Sequence, residues 1–188
     1  MNQANTKELS LLLDACANKV EKAQLKIYQL YYKAMYNTAL RIVKEEALAE
    51  DIMQDSFIAA FDKLHQYKAQ VSFGAWLKRI VINKSIIEYR KKVNENWMTL
   101  DESIVQQPMM EPSSETSTEK IRWIYEKIKG LNERYSLCLT LNLIEGYDYK
   151  EIASILEIKE GTCRTLISRA KEKLRTELVN DPQWKKIS

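Results

Sequence analysis

Three groups of side chains in this 188-residue chain have the types and spacing to do chemistry. Each belongs to one face of a helix. In AEDIMQDSFIAAFDKL, residues 49–64, a step of about 100° per residue gathers Asp51, Gln54, Asp55, Ile58 and Asp62 on one side and Met53, Phe57, Ala60, Phe61 and Leu64 on the other. Such an acidic face repels phosphate and attracts a basic protein surface. In FGAWLKRIVINKSIIEYRKK, residues 73–92, Trp76, Arg79, Asn83 and Arg90 share a stripe about 60° wide at the helical step. Aromatic faces stack on unpaired bases, Arg holds backbone and Asn reads a base edge. A core Trp76 with solvent-facing arginines gives the same pattern, and for Trp76 alone that is the simpler account. In the third group Arg164, Thr165, Ser168, Lys171 and Arg175, flanked by Arg169, oppose Cys163, Ile167, Ala170 and Leu174, with Leu166 at the edge. A helix of this kind fits the DNA major groove, where Arg offers paired donors to guanine. An amphipathic hairpin with a solvated basic face fits it equally well.

The same inventory argues against catalysis. His65 is the only histidine, which removes most His-based metal sites and Ser-His or Cys-His nucleophiles. Cys16, Cys138 and Cys163 are odd in number, widely spaced and in no CxxC pair, so neither a disulfide framework nor a zinc site is expected. Each reads as a small buried apolar residue. No enzyme, cofactor or metal is implied. The amino-terminal apolar run is cut by Asp14 and lacks a basic leader, and no stretch approaches the roughly 18 apolar residues of a membrane span. A cytoplasmic protein is expected.

The elements that must position these groups are helical throughout. Four Gly and three Pro against 45% hydrophobic residues leave few breakers, and apolar residues recur at three and four. Leu25, Tyr28, Tyr32, Met35, Ala39 and Ile42 form one stripe, and Phe73, Leu77, Ile80 and Ile87 another. Residues 149–178 have helix-turn-helix spacing. There Tyr149, Ile152, Ala153 and Leu156 form a short stripe, Ile158 plugs the turn, and Gly161 opens the second helix. Charge comes in blocks, which the overall net charge of +3 conceals. Residues 44–62 carry one Lys against six acids, residues 78–92 six bases against one acid, and residues 160–175 five bases against two acids.

Residues 94–119 hold six acids, no base, two of the three prolines and a Ser/Thr cluster, a linker composition. It ends in TSTE, Thr116 to Glu119, which reads as a capping box opening a new helix. The predicted organisation is therefore two small helical domains, 9–92 and 118–179, joined by a flexible acidic linker, 93–117.

Taken together, AEDIMQDSFIAAF, FGAWLKRIVINKSIIEYRKK, the acidic linker and LNERYSLCLTLNLIEGYDYKEIASILEIKEGTCRTLISRAKEKLR, in this order, resemble a bacterial sigma-70 family factor of the small extracytoplasmic-function (ECF) type. The resemblance spans roughly residues 9–178. It implies an all-α fold that keeps only sigma regions 2 and 4, and a subunit that binds core RNA polymerase, recognises promoter DNA and melts it.

The resemblance also implies roles. Asp51, Gln54, Asp55 and Phe57 match the D-x-x-Q-[DE]-x-F helix that docks on the polymerase beta-prime clamp helices. Asp51, Gln54, Asp55 and Ile58 would be the surface contacts, with Phe57 in the core; the beta flap is a second polymerase contact. Tyr67, Lys68, Trp76, Arg79 and Asn83 match the part that opens the −10 element and captures a flipped base. Arg164, Thr165, Ser168, Arg169 and Lys171 match the −35 reader. The linker matches the connector that threads toward the polymerase active-site and RNA-exit channels. An anti-sigma factor is a further possible partner, and no small-molecule substrate or membrane insertion is implied. The chain departs from commoner family residues at Lys159, Leu166 and Ser168, and in the loop YKAQVS. A stand-alone helix-turn-helix regulator would explain residues 149–178 but leave the acidic helix and the Trp76 stripe idle; a scaffold acting through the acidic helix alone would leave the basic helix idle.

Overall fold

A computed structural model describes residues 3–92, 116–182 and 184. The chain divides into two compact units, Met1–Glu95 and Asn96–Ser188. Residues 93–115 of the acidic linker lie outside the described residues, as do the side chains of the Thr116–Glu119 capping box; residues 116 and 117, expected in the linker, already belong to a helix that starts at Thr116. All regular structure among the described residues is helical, and no described helix is long and apolar enough to cross a membrane.

The first unit is built from α1 (Gln3–Ala17), α2 (Glu21–Val43), α3 (Glu46–Asp62) and α4 (Phe73–Lys92). The chain leaves α2 through Lys44, which takes the left-handed conformation at φ 56° and returns its N–H to the Leu40 carbonyl at 2.9 Å. This closes the helix as a glycine usually would. α2, α3 and α4 pack against one another and α1 against α2. Ile27, Met35 and Ile42 of α2, Ile52, Met53 and Phe57 of α3 and Leu77, Ile82 and Ile86 of α4 are all buried and supply the core of this unit. Ser56 and Ser85, also fully buried, donate to the Ile52 and Val81 carbonyls of their own helices at 2.6 and 2.8 Å. Their hydroxyls are thus satisfied without a cross-helix partner.

Two sequence-predicted core positions are overturned. Leu25 is 57% exposed and Ile87 53% exposed. Leu25 lies roughly 200° around α2 from Ile27, which is buried. On α4 the buried face beyond Leu77 is set by Val81, Ile82, Ser85, Ile86 and Tyr89. The face swings as the helix passes between α2 and α3, so a stripe extended from Phe73 in steps of seven reaches Ile87 on the outside, and Ile80 is only half-buried.

The second unit comprises α5 (Thr116–Gly130), α6 (Glu133–Leu139), α7 (Tyr149–Leu156) and α8 (Glu160–Val179). Asn132 caps α6, its Oδ1 accepting the Tyr135 N–H at 2.9 Å. α6 runs into a π-helical turn, Thr140–Ile144, and Gly146 at φ 81° redirects the chain. Asp148 then forms a reciprocal capping box: its carboxylate accepts the Glu151 N–H at 2.8 Å, and Glu151 accepts the Asp148 N–H at 2.9 Å. α7 ends at Glu157, left-handed at φ 53°, and the Ile158 N–H closes on the Ala153 carbonyl at 3.0 Å. α8 packs on α5, α6 and α7 through Cys163, Ile167, Ala170 and Leu174.

The three thiols are free and buried, as expected of small apolar residues. Burial, and next the neighbouring Cys163, push the Cys138 thiol from 9.0 up to about 12; burial also raises Cys16 and Cys163. An unfolded chain therefore releases a proton that folded Cys138 keeps. Stability should fall as pH rises from 9.0 toward about 12. In the folded protein at pH near 8, all three thiols should resist an alkylating reagent and react once urea unfolds the chain.

Candidate macromolecular interfaces

The acidic side of α3 is the outer surface of the first unit. Asp51, Gln54, Asp55 and Asp62 are exposed and Ile58 is 61% exposed, while Ala49, Ile52, Met53, Ser56, Phe57 and Ala60 are buried. Phe61, expected on the apolar side, is half-buried. The helix thus presents carboxylates around one apolar side chain, Ile58. Gln54 donates to Glu50 at 3.2 Å. Two lysines of α4 reach across to this side: Lys84 pairs with Asp55 at 3.4 Å and Lys92 with Glu45 at 3.0 Å. Both pairs are exposed and salt-screened, worth about 0–1 kcal/mol each. They orient side chains and do little for the fold.

The segment between α3 and α4 is an ordered aromatic turn. A short 3₁₀ turn, Leu64–Gln66, leads to Tyr67, whose hydroxyl donates to the Val71 carbonyl at 2.8 Å, with Ala69 left-handed at φ 54° between them. Ser72 caps α4, its Oγ accepting the Ala75 N–H at 3.3 Å. Ring centroids of Tyr67 and Trp76 lie 5.4 Å apart, both rings lie 5.7 Å from Phe73, and Phe73 meets Tyr31 of α2 at 5.5 Å. Gly74 has no room for a side chain: a Cβ there would stand 2.9 Å from Tyr31 Cε1. Burial, and next the neighbouring Tyr67, raise the Tyr31 hydroxyl, and burial raises that of Tyr67. Trp76 is half-buried, part core and part surface. Arg79 and Asn83 continue along α4 from Trp76 and are exposed, as is Lys68 on the turn.

On α8 the predicted division holds for most positions. Arg164, Thr165, Ser168 and Arg169 are exposed, opposite buried Cys163, Ile167, Ala170 and Leu174. Thr165 Oγ1 donates to the Gly161 carbonyl at 3.0 Å. Lys171 is half-buried, its ammonium 5.8 Å from the centre of the Tyr149 ring; the Arg164 guanidinium lies 5.2 Å from the same ring.

The sequence reading passed over three residues here. Tyr31 and Lys84 act across helices, and nothing local in the sequence marks a contact to a residue dozens of positions away. Glu160, four residues before Arg164, does have a local signal, the Glu-to-Arg spacing that pairs on a helix face.

Comparison with known proteins gives concordant likenesses. Residues 27–95 match the family model for Sigma-70 region 2, and residues 121–174 that for Sigma-70, region 4. The chain is 33% identical over 175 residues to the ECF RNA polymerase sigma factor SigW of Bacillus subtilis (strain 168), covering 88% of this chain and 89% of that protein. It is 27% identical to SigM of the same organism, covering 79% and 91%. Among solved structures, CnrH in complex with the cytosolic domain of CnrY shares the fold at TM-score 0.53 and 22% identity, over 91% of this chain and 97% of that one. RpoE in complex with the anti-sigma factor NepR from Bartonella quintana does so at 0.52 and 21%, over 83% and 96%.

The two sides of α3 separate by mutation. Phe57→Ala should cost about 3–5 kcal/mol of stability, whereas Ile58→Ala, one residue on, should stay within about 0.5 kcal/mol of the parent. Urea unfolding of the two variants checks this.

Proposed function

The chain belongs to the sigma-70 family of RNA polymerase sigma factors, in its ECF type, and from that premise we propose how its surfaces divide the work. α3 docks on core polymerase through Asp51, Gln54, Asp55 and Ile58, against the basic clamp helices of the beta-prime subunit. The observation that carries this reading is the exposure of all four on a helix whose other side is core. Carboxylates in that position oppose DNA and favour a cationic protein surface, steering assembly and fixing register. Ile58 adds an apolar contact among them.

The turn at residues 67–72 and the stripe of Trp76, Arg79 and Asn83 work on the −10 element. Extruding a base costs a few kcal/mol of lost stacking and pairing, and the half-buried Trp76 ring beside Tyr67 offers a stacking surface already in place. Asn83 supplies a donor and an acceptor to a base edge, while Arg79 and Lys68 hold backbone phosphates. α8 reads the −35 element through Arg164, Thr165, Ser168 and Arg169, with the half-buried Lys171 beside phosphate. The beta flap is the second polymerase contact, and the acidic segment 93–117 is the connector between the two domains. An anti-sigma factor is a further partner in this reading, supported by the fold neighbour RpoE having been solved with one. The protein performs no chemistry of its own and works where the polymerase works, in the cytoplasm.

Two measurements bear on these assignments. Asp51→Arg with Asp55→Arg should abolish holoenzyme formation in a pull-down while leaving the thermal unfolding midpoint within a few degrees of the parent, since both residues are exposed; retained assembly would remove α3 from the interface. Asn83→Ala should slow open-complex formation, followed by permanganate reactivity, far more than it weakens duplex binding. Equal loss in both would assign Asn83 a structural role.

A further inference from the structure

Arg164 is not a loose side chain. It is 61% exposed, yet its Nε donates to Glu160 Oε1 at 3.1 Å and its Nη2 to the same oxygen at 2.7 Å, and its guanidinium lies 5.2 Å from the centre of the Tyr149 ring. Glu160 therefore takes the side edge of the fork, formed by Nε and Nη2. The end edge, formed by Nη1 and the second N–H of Nη2, keeps a pair of parallel donors that matches O6 and N7 of guanine. The carboxylate occupies one of the two donor pairs of the fork and leaves the end-on pair for a base edge.

We propose that Glu160 is a positioning residue for −35 recognition: it holds the Arg164 guanidinium, beside Tyr149, with its end-on donor pair aimed into the groove. This deepens the α8 assignment and rests on it. Glu160 stands in the first turn of α8, where a carboxylate is favoured by the helix dipole, and precedes Arg164 by one helical turn, the favourable order for a pair. The rotamer freedom of a long side chain must be surrendered when it binds a base, and a side chain already ordered surrenders less. Glu160 also brings negative charge to a surface that meets phosphate, so it opposes binding to DNA in general while favouring one base pair. Its loss must move affinity and selectivity in opposite directions. A residue that merely stabilised α8 would not do this.

The test uses holoenzyme reconstituted from the full chain and core polymerase, binding promoter duplexes in which each −35 base pair is exchanged in turn. Arg164→Ala should erase a preference of about tenfold or more at one base pair. Glu160→Ala should relax the preference at that same base pair about three- to tenfold and bind unrelated duplex at least as tightly as the parent. In the Arg164→Ala background, adding Glu160→Ala should change no preference. Full selectivity retained by Glu160→Ala overturns the proposal. So does an equal loss of selectivity with and without Arg164, which would make Glu160 a reader in its own right. If Arg164→Ala keeps every preference, the base-reading assignment of Arg164 has failed, a separate result that removes the positioning role with it.

Discussion

The burial of one side of α3 between α2 and α4 is the constraint on which the first unit depends. Met53, Phe57 and Ala60 have to leave water, and at about 100° per residue their burial decides where every neighbour points. Asp51, Gln54 and Asp55 are driven outward by the same packing that makes the core. The acidic surface is therefore as well fixed as the core itself. The ion pairs from Lys84 and Lys92 only trim it. α4 shares in the arrangement: where Val81, Ile82 and Ile86 turn in, Asn83 and Ile87 turn out.

In the second unit the corresponding role falls to the turns. The Asp148–Glu151 capping box starts α7, the left-handed Glu157 ends it, and only three residues, 157–159, lead into α8. Short connections with fixed dihedrals leave little freedom in the angle between the two helices, and the apolar residues of α8 complete the choice of face. Lys159 supplies no side-chain cap. Glu160 at the next position puts its carboxylate where the exposed N–H groups of the first turn favour negative charge.

Much of this was legible in the sequence because it is local. Helix period, the split faces of α3 and α8, the burial of the three thiols and the helix-turn-helix spacing all follow from neighbours within a few turns. The same reading failed at Leu25 and Ile87, where the buried face depends on the angle at which one helix crosses another, a property of several helices at once. It ranked Lys171 with the exposed cations of α8, whereas the Tyr149 ring on α7 holds it half-buried. The aromatic turn was legible in kind but not in construction. The hydrogen bond from Tyr67 to the Val71 carbonyl and the contact of Tyr31 with Phe73 join residues whose proximity only the folded chain creates. The Asp148 capping box is written plainly as Asp-Tyr-Lys-Glu, a polar signal independent of apolar periodicity.

The hydrogen at Gly74 ties this position to a distant aromatic ring. The Tyr31 ring fills the space that any larger substituent would need, and that ring is held edge-on to Phe73. The residue allowed at one position thus depends on the ring at another, 43 residues away. A lineage that gains a methyl at position 74 must shrink or re-aim the ring at position 31, whereas a smaller side chain at 31 leaves Gly74 undisturbed.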